Sequence, residues 1–136
     1  MKTLTKVLLV DDSESTVFFN KIILSKSGYV DEMIIAKNGL EALDILKSGT
    51  IPELIFLDIN MPVMDGWEFL EEFQKLNETS KNTKIILMIG APLPDKDKAY
   101  AQSIPQIKEF QGKMLSRIVM DDIMRDHFDK ETFLVE

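Results

Sequence analysis

Leu54-Ile55-Phe56-Leu57-Asp58-Ile59-Asn60-Met61-Pro62-Val63-Met64-Asp65-Gly66 joins an apolar run to a carboxylate, followed by two turn-forming pairs, Met61-Pro62 and Asp65-Gly66. A short run of bulky apolar residues bounded by turn signals reads as a strand buried on both faces, the strand type of a helix-covered parallel sheet. A second such run, Val7-Leu8-Leu9-Val10, closes on Asp11-Asp12. Similar segments recur with helix-like stretches between them, which predicts an α/β fold: a doubly wound, five-stranded parallel sheet with helices on both faces.

The strands are expected near Lys6 to Val10, Glu32 to Ala36, Glu53 to Leu57, Lys84 to Ile89 and Ile107 to Gln111. The first helix is expected from Glu14 to Ser27, with Ser13 as N-cap, Gly28 as stop, and Val17, Phe18, Ile22 and Ile23 as its core face. The next, Gly39 to Lys47, aligns Leu40, Leu43 and Leu46; the third, Gly66 to Leu76, aligns Phe69, Leu70 and Phe73. The last, Ser116 to Phe128, carries Val119, Ile123 and Met124. Between Ala91-Pro92-Leu93-Pro94 and Pro105, the polar Asp95-Lys96-Asp97-Lys98 predicts about two turns of a weaker helix. One domain over residues 1–128 and a tail over 129–136 are the expected organisation.

The 136 residues suffice for one core without staples. The absence of cysteine excludes disulfides and thiolate metal sites, leaving oxygen ligands. A net charge of -7 argues against a surface that grips nucleic acid through its phosphates. The N-terminal segment lacks the pattern of a signal peptide, and no apolar stretch approaches the ~20 residues needed to cross a bilayer. A soluble cytoplasmic protein, monomeric or weakly dimeric, is expected.

In a doubly wound sheet, functional residues gather outside the carboxyl ends of the strands. Asp11, Asp12, Asp58 and Lys113 all fall there. With the first and third strands adjacent, the three carboxylates would converge and repel one another unless a cation joined them. Magnesium suits such a set, because it takes oxygen ligands and retains waters that a phosphate can replace. One carboxylate could then attack a phosphoryl donor while Lys113 neutralises charge on the phosphoryl oxygens. Considered singly, each aspartate more often caps a helix, and Lys113 would be a solvated side chain. His127, near the end of the last helix, reads as a surface residue, and Trp67, Phe69 and Phe73 as packing or partner-facing.

In this order and spacing, Asp11-Asp12, Asp58, Met61-Pro62-x-Met64-Asp65-Gly66 and Lys113 make the chain resemble the receiver domain of two-component response regulators. The resemblance covers nearly the whole chain. It implies the flavodoxin-like strand order 2-1-3-4-5, phosphorylation of Asp58, and Mg²⁺ held by Asp11, Asp12, Asp58 and the Asn60 backbone carbonyl. It also implies Lys113 in contact with the phosphoryl group, and a histidine kinase or histidine phosphotransfer protein as donor. The downstream partner would be another protein, reached by contact, with no direct role for nucleic acid or membrane and no enzymatic turnover.

Three positions depart from the family pattern. Receivers usually carry Thr or Ser at the end of the fourth strand, and Ile89 is assigned to that place; no Ser or Thr lies between Lys84 and Gln102. The aromatic switch position falls on Phe110, which lacks a phenolic hydroxyl, and Met114 follows Lys113 where proline is common. A cis bond before a non-proline residue costs about 2.5 to 4 kcal/mol, so the Lys113–Met114 bond is predicted trans. Ile89 and Met114 favour a rival reading, an interaction module indifferent to phosphorylation; the retained Asp11, Asp12, Asp58 and Lys113 oppose it. A phosphatase of the dehalogenase-like class is a more distant reading, because Asp11-Asp12 lacks the Asp-x-Asp spacing.

Overall fold

Side chains alternate across a strand, so each apolar run supplies two opposite faces. In β1 (Leu4–Val10), Val7 and Leu9 enter one core cluster while Leu8 and Val10 enter another. The same parity divides β3 (Leu54–Asp58) and β4 (Lys84–Met88): Leu54, Phe56, Ile86 and Met88 face one side, Ile55, Leu57, Ile85 and Leu87 the other. With β2 (Val30–Ala36) and β5 (Ile107–Gln111), these strands form one parallel sheet in the order β2-β1-β3-β4-β5. The computed structural model describes residues 3–76 and 82–128. The expected tail over 129–136 lies outside them.

Two helices, α1 (Glu14–Ser27) and α5 (Arg117–His127), cover one face through Leu24, Met120, Ile123 and Met124. The other face carries α2 (Gly39–Lys47), α3 (Gly66–Phe73) and α4 (Asp95–Gln102), with Leu43, Phe69, Leu70, Phe73 and Ala101 in its cluster. Fully burying one such large side chain contributes roughly 1.5–3 kcal/mol, so the Phe69–Phe73 pair anchors α3 firmly. The short α4 matches its polar sequence: Pro94 precedes it without a side-chain cap, and Ala101 is its single buried residue.

Strand bounds agree with the sequence reading to within two residues, except that Asp58 belongs to β3 rather than following it. The face of α1 requires a larger correction. Ser13 caps it and Gly28 ends it at φ 78°, as expected, but Phe18 is 68 % exposed, and Phe19 and Ile22 are also exposed. The inward stripe is Asn20, Leu24 and Ser27. A polar residue stands at its centre because both polar atoms of its carboxamide are hydrogen-bonded; of the expected face, Ile23 does pack against the core and Val17 is half-buried, whereas Phe18 and Ile22 turn outward.

Candidate functional site

Strand order reverses between β1 and β3, whose pairing sets Val10 beside Leu57. One residue further on each strand lie Asp11 and Asp58, both on the parity that faces α1 and α5. Asp11 Oδ1 accepts a hydrogen bond from the Ser13 amide at 2.8 Å, which turns the chain into α1. Asp12 follows, exposed. Carboxylate oxygens of Asp11, Asp12 and Asp58 all lie within 4.8 Å of one another.

Asp58 is 1 % exposed. Its Oδ1 accepts from the Ile59 amide at 2.9 Å and lies 3.2 Å from the Lys113 ammonium. Its Oδ2 is buried with no hydrogen-bond partner among the described residues. An unsatisfied buried carboxylate oxygen is costly, and one that belongs to a cluster of three carboxylates has the chemistry of a cation ligand. Burial, above all, pushes the Asp11 carboxyl above its ordinary value; the Ser13 bond and Lys113 work against this, while Asp58 and Asp12 add to it.

The loop after Asp58 shapes the mouth of the site. Asn60 lines a cleft of about 290 Å³ together with Asp58, Trp67, Gly90 and Lys113. Val63 has φ 68°, and the Met64 amide donates to the Pro62 carbonyl at 2.7 Å, closing a γ-turn on a β-branched residue. Asp65 then caps α3 in a reciprocal capping box with Glu68. Gly66 is required by space: a Cβ there would lie 2.6 Å from the Asp58 carbonyl oxygen. The Met-Pro and Asp-Gly pairs thus seat α3 directly on the end of β3.

Ile89, the residue assigned to the hydroxyl position, borders the cleft but has the strand parity opposite to that of Asp58. Its parity follows Ile85 and Leu87, and it packs half-buried on the α2–α3–α4 side. Gly90 takes the place beside Lys113, with a virtual Cβ 3.4 Å from Lys113 Cε. The missing hydroxyl is therefore a property of Gly90. Counting parity from Leu87 would have found it. Phe110 is half-buried against the same cluster as Ile89. Met114 is exposed, and no peptide bond among the described residues is cis, so the Lys113–Met114 bond is trans as predicted.

His127 corrects a further expectation. It is half-buried, and its Nε2 lies 2.8 Å from Glu109 Oε1 on β5. It therefore ties α5 to β5, the edge strand of the sheet. Phe69 and Phe73 are core, whereas Trp67 walls the cleft and meets Tyr100 edge-on, with ring centroids 5.9 Å apart.

Residues 7–104 match the family model described as the response regulator receiver domain. The chain belongs to the response regulator receiver family. Among curated relatives, a sensor histidine kinase of Helicobacter pylori is 31 % identical over 86 % of this chain and 15 % of its own length. The sporulation initiation phosphotransferase F of Bacillus subtilis is 36 % identical over 61 % of this chain and 62 % of its own. The receiver thus spans less than two thirds of either relative. A two-component response regulator of Cytophaga hutchinsonii superposes with TM-score 0.80 at 26 % identity, covering 99 % of this chain and all of that one. A chemotaxis response regulator of Vibrio cholerae gives 0.73 at 28 % identity, covering 90 % of this chain and 98 % of that one, and the sheet order here is that of the receiver fold. No described helix is long and apolar enough to cross a membrane.

Proposed function

We propose that this chain takes a phosphoryl group on Asp58 from a phosphohistidine of a histidine kinase or histidine phosphotransfer protein, and passes the signal on by protein contact in the cytoplasm. The observation that carries the reading is the state of the Asp58 carboxylate. Oδ1 is occupied by the Ile59 amide and Lys113, whereas Oδ2 is buried and unpartnered, with lone pairs available for phosphorus or a cation. In the transfer an Asp58 oxygen forms a bond to phosphorus as the donor's P–N bond breaks, and that electron pair returns to the imidazole. The Lys113 ammonium is close enough to move onto a phosphoryl oxygen and so offset the charge that arrives beside Asp58.

The residues fit a hard divalent cation: three clustered carboxylates, one orphaned buried oxygen, and no cysteine in the chain to offer a thiolate. Asp11, Asp12, Asp58 and the Asn60 carbonyl would hold Mg²⁺. When bound, the ion supplies charge neutralisation to the phosphoryl oxygens. The relatives support the choice of donor, since one is a histidine kinase and another a phosphotransferase. Receivers act as phosphoacceptors rather than turnover enzymes; any loss of the group from Asp58 would be self-hydrolysis.

A second reading, an interaction module indifferent to phosphorylation, draws on Gly90, which offers no hydroxyl to a phosphoryl group. Incubation with acetyl phosphate and Mg²⁺ separates the two. The intact mass should rise by one phosphoryl group and fail to rise in Asp58→Asn; an unchanged wild-type mass would favour the interaction module.

A further inference from the structure

Asn20 is 3 % exposed on the inward face of α1, between that helix and the segment leading into α5. Its Nδ2 donates to the Lys113 carbonyl at 2.9 Å, and its Oδ1 accepts from the Leu115 amide at 2.9 Å. This donor and acceptor match what a neighbouring strand would present, so the Lys113-Met114-Leu115 segment is held as if the sheet continued past β5. Met114, between the two bonds, is exposed. A buried carboxamide is costly unless its polar atoms are paired, and those of Asn20 are paired to this segment.

Lys113 starts from the clipped segment and ends 3.2 Å from Asp58 Oδ1. A lysine stem is flexible, so the place of its ammonium depends on where the backbone is held and on what the stem leans against. Gly90 adjoins the stem but has no side chain to brace it. Anchoring therefore falls on the backbone. We propose that Asn20 is a positioning residue for phosphoryl uptake, setting Lys113 against Asp58 by clipping the chain on both sides of Met114. Its effect on uptake rests on the phosphoacceptor reading; its effect on the Lys113–Asp58 pair does not.

A double-mutant cycle on the full chain tests this, with acetyl phosphate and Mg²⁺ and uptake followed by intact mass. Asn20→Leu should slow uptake about tenfold, the scale of one or two lost hydrogen bonds. In a Lys113→Ala background the same change should alter the residual rate by less than about twofold, because the element it acts through is gone. An equal factor in both backgrounds would overturn the proposal. Asn20→Ser, too short to span both backbone groups, replaces Asn20→Leu should that variant not fold. The second readout is the NMR resonance of the Lys113 ammonium nitrogen. It should respond to Asp58→Asn in the otherwise wild-type chain and lose most of that response once Asn20 is replaced; a response kept in full would overturn the clip. If the wild-type chain takes up no phosphoryl group, the phosphoacceptor reading fails and this resonance alone decides the clip.

Discussion

Gly90 faces the aliphatic stem of Lys113, and a methyl group at Gly90 would lie 3.4 Å from Lys113 Cε, an ordinary contact distance. Room therefore exists for a small side chain beside the acidic cluster. Gly90→Ser should fold and place a hydroxyl toward an incoming phosphoryl group. A hydrogen bond to a charged group is worth roughly 1.5–3 kcal/mol, so realising part of it in the transition state should speed uptake about tenfold. Rates with acetyl phosphate check this.

Ile89→Thr is the informative contrast. Its side chain packs on the α2–α3–α4 side, opposite in strand parity to Asp58, so a hydroxyl there is spent against apolar neighbours. Uptake should stay within about twofold, while stability falls by about 1–2 kcal/mol from lost burial and an unpaired hydroxyl. Urea unfolding beside the same rate measurement separates the two effects.

Gly66→Ala should damage both fold and site. Its Cβ would lie 2.6 Å from the Asp58 carbonyl oxygen and 2.8 Å from Ile59 Cα, which are backbone atoms that no rotamer change can move. Overpacking of this kind costs about 1–3 kcal/mol, and relief requires α3 to back away from Asp58. A lower urea midpoint together with slower uptake is the expected pair of results.

Val63 holds a positive φ in a γ-turn and is 75 % exposed, so little packing compensates its strain. Val63→Gly removes the steric cost but adds unfolded-chain entropy, for a net gain of about 1 kcal/mol. Denaturant titration should show a higher midpoint with an unchanged m-value.

Asp11 links the site to pH and metal. Burial holds its folded pKa above the unfolded one, so the folded state binds that proton more tightly. Its contribution to stability is full below the unfolded pKa and is lost as pH rises through the folded pKa. Without metal, Asp11→Asn should therefore melt a few degrees above wild type at neutral pH and match it more closely in acid. Added Mg²⁺ should raise the wild-type Tm and leave Asp11→Asn nearly unmoved, as thermal melts with and without the ion would show.

The sheet and the acidic cluster were legible because they rest on short-range signals: runs such as Leu54 to Leu57 end at the carboxylates, and parallel topology then brings Asp11, Asp12 and Asp58 together. Lys113 was legible by order along the chain. The face of α1 was not, since Phe18 and Ile22 are apolar yet exposed while Asn20 is polar yet buried, its bonds going to residues 93 and 95 positions away. Only tertiary structure supplies those partners. The hydroxyl position slipped from Gly90 to Ile89 because an apolar run marks where a strand lies but not which face its last residue takes. His127 was misplaced for a related reason, since Glu109 reaches it from another element.

Phosphoacceptance at Asp58 is tested most directly by locating the phosphoryl group. After incubation with acetyl phosphate and Mg²⁺, borohydride converts an aspartyl phosphate to homoserine, which peptide sequencing by mass spectrometry assigns to a position. Homoserine at position 58, and at no other aspartate, is the expected result. Homoserine at Asp11 or Asp12 instead, or none in a chain that binds Mg²⁺ and remains folded, would contradict it.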